Sequence, residues 1–386
     1  MVLNELLKTL TAPAAETVGI EATYGRVLAK DIQADRDYPA LDRSLRDGFA
    51  IHADESPGSL RVMGELRAGE NQSIPLPAGH ALEIMTGAPV PAGADAIVMV
   101  EHIGREGDAV TIPQRAASGQ FINRRGAEAE AGVTLLRAGT RLDASHIATL
   151  ATTGNIDVPV FARPSVAILS TGDELVDAGE VPEPHQIRNS NSYALAALVA
   201  AAGGKPAIQP VARDTEADLT RALERGLEHD LLLISGGVSA GKYDLVKPCL
   251  TKLGASFFFE RVKIQPGQPT AFGKAGKKFA FGLPGNPGSS MVTFQLFART
   301  ALELLAGVKD PIMPVFRAVF DAPFKHKLGL TRFLPAFLDG RGRLTHIPWQ
   351  GSSDIPALAK ANVFLIADPD RESWEAGDSI RVMLKP

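Results

Sequence analysis

The middle of the chain alternates short apolar runs with glycine-rich turns and helical segments. The runs SVAILS, DLLLIS and KKFAFG have the length and composition of buried strands. Helical patterns follow the first and the last run, in NSNSYALAALVAAAGG and in the segment that ends with ALELLAG. Because strands that alternate with helices form parallel sheets, we predict a parallel α/β sheet domain over residues 164–308.

The regions on either side of this domain follow a β-like pattern. Between about Gly48 and Arg141 the β-like segments are SLRVMGEL, DAIVMVEHI, DAVTIP and GVTLLRAG, and they predict a β-rich insertion domain over residues 47–135. The runs VFRAVFDAPF, TRFLPAFL, LTHIPW, ANVFLIAD and SIRVMLK predict a C-terminal β-barrel domain over 309–386. The helical segments LNELLKTL and DASHIATLATTG flank the insertion and predict a discontinuous helical and linker domain over 1–46 and 136–163. The fold class is multidomain α/β plus β.

Charge and composition exclude several classes of protein. The net charge is −4 and the pI is about 6.1, values that do not favour a nucleic-acid partner. No apolar run reaches the roughly 20 residues that span a bilayer, and the N-terminus lacks a signal-peptide pattern. We therefore expect no membrane partner and a cytoplasmic location. Cys249 is the single cysteine, which excludes an internal disulfide and a thiolate zinc cluster.

One stretch is depleted of acidic residues. From Arg261 to Leu302 there is no Asp or Glu, although 44 acids in 386 residues predict about five in such a stretch. The same stretch carries the cations Arg261, Lys263, Lys274, Lys277, Lys278 and Arg299. This pattern is consistent with a small anionic ligand, and equally with a solvated basic face.

The segment LLLISGGVSAGKYDLVK nearly matches a nucleotide-binding P-loop. Gly236, Gly241 and Lys242 have the spacing of G-x-x-x-x-G-K-[ST]. Tyr243 stands where the magnesium-binding hydroxyl of Ser or Thr is needed, which argues against a P-loop NTPase.

The turns after the three strand runs are predicted to meet at one edge of the sheet, because the carboxyl ends of parallel strands lie together. Glycines let backbone N–H groups approach a ligand, and helix N-termini favour an anion. Glu174 and Asp244 add carboxylate oxygens, which magnesium prefers. We predict a site where magnesium bridges a phosphate group to the protein. The residues brought there are Thr171, Gly172, Asp173 and Glu174; Ser235, Gly236, Gly237, Ser239 and Asp244; and Pro284, Gly285, Asn286, Pro287 and Ser289.

Six segments in order along the chain carry a resemblance to a known family. They are SLRDGFAIH, IMTGAPVPAGADAIVMVE, RRGAEAEAG, STGDEL, SGGVSAGKYD and GLPGNPGSS. Together they resemble the molybdopterin molybdenumtransferase (MoeA) family, which includes the gephyrin E domain, over essentially the whole chain. The resemblance implies four domains, an α/β domain similar to molybdopterin adenylyltransferase, and a homodimer whose active cleft lies between subunits.

The resemblance implies a magnesium-dependent reaction. Adenylylated molybdopterin is hydrolysed while molybdate enters the dithiolene, which gives molybdenum cofactor and AMP. Molybdopterin adenylyltransferase is the expected substrate donor. The catalytic positions carried over by motif are Asp47, Thr86, Glu174, Asp214 and Asp244, with Glu128 as a further polar position and with Glu174 and Asp244 as the metal ligands.

Some of these positions also have a purely structural interpretation. Asp47 precedes Gly48 and could be a turn residue, and Asp214 in ARDTEADL could be a helix N-cap. On the family pattern, Asp47 and Thr86 would reach the cleft from the partner subunit.

The resemblance implies that molybdate binds near Ser289 and Ser352. The chain departs from the family pattern there, with Gln265 and Gln268 in place of two lysines. The residues expected to restore the positive charge are Arg261, Lys263, Arg332 and Arg46. Two alternatives remain open: the α/β domain could itself adenylylate molybdopterin, or the chain could be a non-catalytic dimeric scaffold.

Overall fold

A computed structural model describes residues 13–70, 75–237 and 245–385. The described residues form two compact units. The first contains the chain up to Ala29, Gly139–Asp143 and the chain from Asp157 onward, and the second contains Lys30–Ala138 and Ala144–Ile156. The four domain boundaries given above stay a prediction.

Residues 13–163 fold mainly into short strands. The strands are β1 (Ala15–Gly19), β2 (Ile32–Gln33), β3 (Arg43–Ser44), β4 (Gly48–Ile51), β5 (Gly58–Leu66), β6 (His80–Ile84), β7 (Ala96–Met99), β8 (Gly104–Glu106), β9 (Ala109–Ile112), β10 (Ile122–Asn123), β11 (Thr134–Leu136) and β12 (Asp157–Phe161). The helical elements are α1 (Ala144–Thr152) and the 3-10 turns Ile20–Ala22, Ala53–Glu55 and Val100–His102. The helix α1 matches the predicted segment DASHIATLATTG, whereas the predicted helix LNELLKTL lies outside the described residues.

The second unit is built on a sheet with the strand order β7-β4-β6-β5-β9-β8. Phe49 and Ile51 of β4 are buried on one face of this sheet, and Ala50 is buried on the other. Because both faces of β4 are covered, its sequence does not alternate between apolar and polar residues. The β-like pattern therefore predicts β5, β7, β9 and β11 but gives no signal for β4.

The segment predicted as the α/β domain contains alternating strands and helices. The strands are β13 (Ser165–Ser170), β14 (Leu175–Val176), β15 (Ile187–Arg188), β16 (Lys205–Ile208), β17 (Leu231–Ser235), β18 (Ala255–Phe259), β19 (Ile264–Gln265), β20 (Ala271–Ala275) and β21 (Lys278–Leu283). The helices are α2 (Asn191–Ala201), α3 (Glu216–Gly226), α4 (Val246–Lys252), α5 (Pro287–Thr293), a π-helical segment (Phe294–Ala298) and α6 (Arg299–Leu305).

The main sheet of this domain has the strand order β16-β13-β17-β21-β20-β18. The pairs β13–β17 and β17–β21 are parallel, as predicted, and β16, which the sequence pattern did not predict, also pairs in parallel with β13. The strands β20 and β18 extend the edge in antiparallel pairs, which the sequence did not indicate. Only Gly276 and Lys277 separate β20 from β21, and so short a connection allows a hairpin but not a parallel crossover.

Two apolar layers cover this sheet, which explains the uninterrupted apolar strand runs. Val166 and Leu233 face a layer that includes α2, the π-helical segment and α6. Leu169 and Ile234 face a layer that includes α3 and α4. Successive side chains along a strand point to opposite faces of the sheet, so each apolar run supplies residues to both layers. The carboxyl ends of the runs lie at one rim of the sheet.

The C-terminal residues form the predicted β-barrel. The elements are β22 (Val315–Phe320), β23 (Phe324–Lys325), β24 (Thr331–Leu338), β25 (Arg343–His346), α7 (Ile355–Lys360), β26 (Val363–Ala367), β27 (Ser373–Trp374) and β28 (Ser379–Leu384). The order β24-β25-β22-β28-β26 is closed into a ring by pairing of β24 with β26. The strand β19 pairs in parallel with β24 and so brings the α/β segment to the outside of the barrel. In the part of the chain that the structure covers, no helix has the length and apolarity to cross a bilayer.

Candidate functional site

A cavity of about 440 Å³ lies at the carboxyl edge of the α/β sheet. The turns after β13, β17 and β21 form it together, as predicted. Backbone hydrogen bonds hold the turns to one another: Thr171 N donates to Ser235 O at 3.1 Å, and Gly236 N donates to Leu283 O at 3.1 Å. Predicted residues in its lining are Thr171, Gly172, Glu174, Asp214, Ser235, Gly236, Gly237, Pro284, Gly285, Asn286 and Pro287.

Close contact between these turns depends on glycine at position 236. Gly236 has a φ of +95°, in the region that favours glycine, and a Cβ atom there would lie 2.8 Å from Thr171 O. A Cβ added at Gly285 would lie 3.6 Å from the Cα of Gly236, an ordinary van der Waals distance, so contact between these turns does not require glycine at position 285. Gly236 therefore allows the turns after β13 and β17 to approach each other at the cavity.

Asn191, the first residue of α2, ties two of the turns together. Its Nδ2 donates to Ser235 Oγ at 2.8 Å and to Gly285 O at 2.6 Å. Its Oδ1 and the Oγ1 of Thr171 are buried without a hydrogen-bond partner in the described chain, and both residues line the cavity. Buried polar atoms are seldom left unpaired, so these two oxygens are available to a ligand. Sequence reasoning missed this role, because Asn191 stands where a helix-capping residue is expected.

Three acidic residues lie together at one side of the cavity. Asp214 N donates to Asp173 Oδ1 at 3.3 Å. The pKa of Asp214 is raised above its ordinary value, first by burial and then by the negative charges of Asp173 and Glu174. The helix α3 is capped by Thr215, whose side chain accepts from Asp218 N at 3.3 Å. The N-cap interpretation of Asp214 is therefore wrong, and its carboxylate is free of that structural task.

The described carboxylates at the cavity suit a divalent cation, but they do not form a complete set of metal ligands. Glu174 and Asp214 line the cavity and offer the hard oxygen ligands that magnesium takes. Burial first, and then the charges of Asp173 and Glu174, raise the pKa of Asp214, and a cation would offset that second contribution. Within residues 13–70, 75–237 and 245–385, no group of three or more His, Cys, Asp or Glu side chains is arranged to hold a metal. The predicted ligand Asp244 and the predicted binding residue Ser239 lie outside the described residues.

The two serines predicted near molybdate have different surroundings. Ser352 Oγ accepts from Asn286 Nδ2 at 3.0 Å, and Ser352 O accepts from Gly288 N at 2.7 Å. These bonds join the barrel loop to the third turn beside the cavity. Ser289 is only 4% exposed, and the cavity lining does not include it.

The predicted basic residues are also placed unevenly. Arg261 and Lys263 lie outside the described lining of the cavity. Arg332 pairs with Gln265 across β19 and β24, and its Nε is buried without a partner in the described chain. Arg332 therefore lies beside Gln265, and Arg261 and Lys263 flank Val262, whose N–H donates to Gln268 O at 2.9 Å.

The predicted residues Asp47 and Thr86 meet in the second unit. Asp47 Oδ1 accepts from Thr86 N at 2.7 Å, although 39 positions separate the two residues. Hydrogen bonds from the Thr86 backbone and then from its side chain lower the pKa of Asp47. Glu128 accepts from Asn123 Nδ2 at 2.8 Å, and the Arg46 guanidinium lies 5.9 Å from the centre of the Phe121 ring. Asp47 is thus an exposed, ionised carboxylate held in place by a backbone donor.

The fold and the cavity define a class of protein: an α/β protein with a small-molecule site at the carboxyl ends of its strands. Family models then match nearly the whole chain. They are described as the MoeA N-terminal region (domain I and II) at residues 1–154, a probable molybdopterin binding domain at 167–304, and the MoeA C-terminal region (domain IV) at 317–385. The chain belongs to the MoeA family. The predicted family, fold class and transferase class are confirmed.

Curated relatives and solved structures agree with this assignment. The chain is 34% identical over 384 residues to a molybdopterin molybdenumtransferase of Bacillus subtilis, with 96% of this chain and 89% of the relative covered. It is 35% identical to molybdopterin molybdenumtransferase 2 of Mycobacterium tuberculosis, with 95% and 94% covered. The crystal structure of the molybdopterin biosynthesis moeA protein from Pyrococcus horikoshii superposes with a TM-score of 0.83 at 30% identity, covering 99% of this chain and 98% of that one.

Proposed function

We propose that this chain is a molybdopterin molybdenumtransferase. It hydrolyses adenylylated molybdopterin and inserts molybdate into the dithiolene, with molybdenum cofactor and AMP as products. The observation that carries the proposal is the cavity where three glycine turns and the carboxylates of Glu174 and Asp214 come together. The relatives that share most of this chain carry the name of that activity.

The proposed roles follow from the chemistry of each group. The backbone N–H groups of Gly237 and Gly285, which make no described hydrogen bond, and the unpaired oxygens of Thr171 and Asn191 bind and orient the pterin nucleotide. Glu174, Asp214 and the predicted ligand Asp244 would hold magnesium, which when bound offsets negative charge on the phosphoanhydride. A bound cation would also offset the repulsion of Asp214 by Asp173 and Glu174.

Molybdate is proposed to bind on the side of the cavity that faces the barrel loop. Asn286 and Ser352 offer an amide and a hydroxyl there, joined by the hydrogen bond between them. Arg332 adds a positive charge beside Gln265, where the chain lacks the lysine of its family. Polar donors and one guanidinium suit a tetrahedral oxyanion, which carries two negative charges and four acceptor oxygens.

We further propose that the active form is a cytoplasmic homodimer. In it, the Asp47 and Thr86 pair of one protomer completes the cavity of the other. Asp47 is exposed and ionised, and neither Asp47 nor Thr86 lines the cavity of its own chain. In a dimer, the pair would act in catalysis at the cavity of the second copy. Adenylylated molybdopterin would come from a molybdopterin adenylyltransferase.

The test is AMP release from adenylylated molybdopterin under titration of magnesium and molybdate. The proposal expects AMP release that needs magnesium and is stimulated by molybdate. Pyrophosphate release from ATP and unmodified molybdopterin would instead identify an adenylyltransferase. Absence of both reactions in a correctly folded dimer would identify a scaffold and refute the proposal.

A further inference from the structure

A second cavity, of about 310 Å³, lies in the first unit and shares no described lining residue with the first cavity. Its walls come from α2, from the π-helical segment and α6, and from the end of β28. The volume is at the lower end of the range that holds small ligands. None of the functions assigned above uses these residues.

The π-helical segment places an unpaired polar side chain in the cavity wall. Gln295 is 4% exposed and lines the cavity, yet its amide has no hydrogen-bond partner in residues 13–70, 75–237 and 245–385. A polar side chain that lines a cavity and has no protein partner can pair with a ligand or a water there. Single π-helical turns within α-helices are frequent at functional sites.

Positive charge exceeds negative charge around the same cavity. Glu303 Oε1 lies 3.1 Å from Arg299 Nη2 and 3.5 Å from Arg141 Nη2, so one buried carboxylate serves two guanidinium groups. Burial, together with repulsion from Arg299 and Arg163, holds the pKa of Arg141 below its ordinary value despite the Glu303 charge. Lys385 adds a further cation to the wall, with its Nζ bonded to the carbonyls of Leu358 and Ala361.

The remaining wall is apolar. Leu198, Ala202, Pro314 and Leu384 contribute to it, and Leu384 is 45% exposed. A fully hydrated inorganic ion would leave this surface unused. A molecule with one anionic group and a small apolar body would use every part of the wall.

We propose that this cavity binds a small organic anion, whose charged group lies beside Arg299 and Arg141 and accepts from Gln295 while its apolar body packs against Leu198 and Leu384. The charged group supplies the counter-charge that the Glu303 carboxylate alone does not provide. The proposal does not depend on the reaction in the first cavity.

The probe is 4-fluorobenzoate, followed by fluorine NMR during titration of the full-length protein. We expect saturable binding to one site per chain, with half-saturation below about 10 mM, which corresponds to a weak but specific complex. Neutral 4-fluorobenzamide should bind at least about tenfold more weakly, since it lacks the charge that pairs with the guanidinium groups. A parallel titration with 4-fluorophenyl phosphate tells whether the preferred anionic group is a carboxylate or a phosphate.

Two variants locate the binding in this cavity. Gln295→Leu removes the unpaired amide without breaking any described hydrogen bond, so the protein should fold with unchanged or higher stability and bind the probe more weakly. Leu384→Glu adds a negative charge at the rim and should weaken binding about fivefold, the effect of like charges roughly 4 Å apart in a wet environment. Leu384→Gln has the same size without the charge and is the matched control.

Binding that is saturable, weakened by Gln295→Leu and by Leu384→Glu, and retained in Leu384→Gln would establish the site. Two results would overturn it. One is no saturable binding of either fluorinated anion. The other is binding that both Gln295→Leu and Leu384→Glu leave unchanged, because the anion then binds elsewhere on the chain.

Discussion

At the scale of single residues, the cavity depends on side chains whose roles cannot be read from their neighbours in the sequence. Asn191 resembles a helix cap, but its amide donates both to Ser235 and to Gly285. Gly285 lies 94 positions after Asn191 in the chain. Asp214 also resembles a cap, but Thr215 performs that task. Only the three-dimensional contacts distinguish a capping residue from a cavity residue in these two cases.

Replacement of Asn191 should loosen the cavity. Asn191→Leu removes two hydrogen bonds between turns, each worth about 0.5–1.5 kcal/mol net, so the free energy of unfolding should fall by roughly 1–3 kcal/mol. AMP release at low substrate should fall as well, because the buried Oδ1 is lost. Urea unfolding and the AMP assay measure the two effects. Tyr193→Ala, at an exposed position on the same helix, is the control and should leave both unchanged.

His346 should make the barrel sensitive to pH. Burial lowers the pKa of His346, and its Nε2 has no partner in the described chain. The unfolded chain therefore binds a proton at a pH where the folded barrel does not. The stability contributed by the neutral imidazole is fully present above the unfolded pKa of about 6.5 and is lost as the pH falls below it, by at most about 1.4 kcal/mol per pH unit.

The corresponding experiment compares urea unfolding of the parent and of His346→Leu at pH 7.5, 6.0 and 5.0. Carboxylates titrate in both proteins, so the difference between their free energies of unfolding at each pH reports the contribution of His346. We expect the variant to lose less stability on acidification than the parent. Equal losses would show that His346 does not carry this dependence.

At the scale of elements, the sequence predicts the three strands that end at the cavity because each is buried on both faces and reads as one apolar run. It therefore predicts most of the edge where β13, β17 and β21 end. It gives no signal for β4, a short run covered on both sides, or for the hairpin of β20 and β21, whose antiparallel pairing depends on a two-residue connection. The motif predicts Ser289 at the site, but its position within α5 buries it away from the lining.

The turn after β17 should not tolerate a side chain at Gly236. Gly236→Ala combines a positive φ with a Cβ 2.8 Å from the Thr171 carbonyl, so the first two turns must separate. Gly254→Ala is a matched control, because Gly254 has a φ of +82° and a Cβ added there would have no atom within 4 Å. The control should lose about 1–2 kcal/mol of stability from the backbone conformation alone.

We expect Gly236→Ala to lose more stability than Gly254→Ala and to lose AMP release as well. The comparison uses urea unfolding for stability and the magnesium-dependent assay for activity. If the two variants were equally stable and equally active, contact between the turns would not be what Gly236 provides.

At the scale of the whole molecule, the α/β domain and the barrel belong to one compact unit, and the β-rich insertion belongs to the other. The sequence pattern separates a strand-and-helix region from two β-like regions but does not predict that the chain divides into these two units. It could not predict that β19 leaves the α/β segment to pair with β24 of the barrel, since two residues are too short for a recognisable strand. That pairing brings Arg332 next to Gln265.

The central claim is that carboxylates at the edge of the α/β sheet serve a magnesium-dependent transfer of molybdate. The most direct measurement is the rate of AMP release from adenylylated molybdopterin, with magnesium and molybdate present, in the parent, in Glu174→Gln and in Glu180→Gln. Glu180 is an exposed glutamate on the same segment and is the matched control.

We expect Glu174→Gln to slow AMP release by at least about 10- to 100-fold, a loss typical of changes around a bound metal, with part of the loss recovered at high magnesium. We expect Glu180→Gln to be as fast as the parent. A Glu174→Gln protein that is folded and releases AMP at the parent rate with the same magnesium dependence would contradict the account.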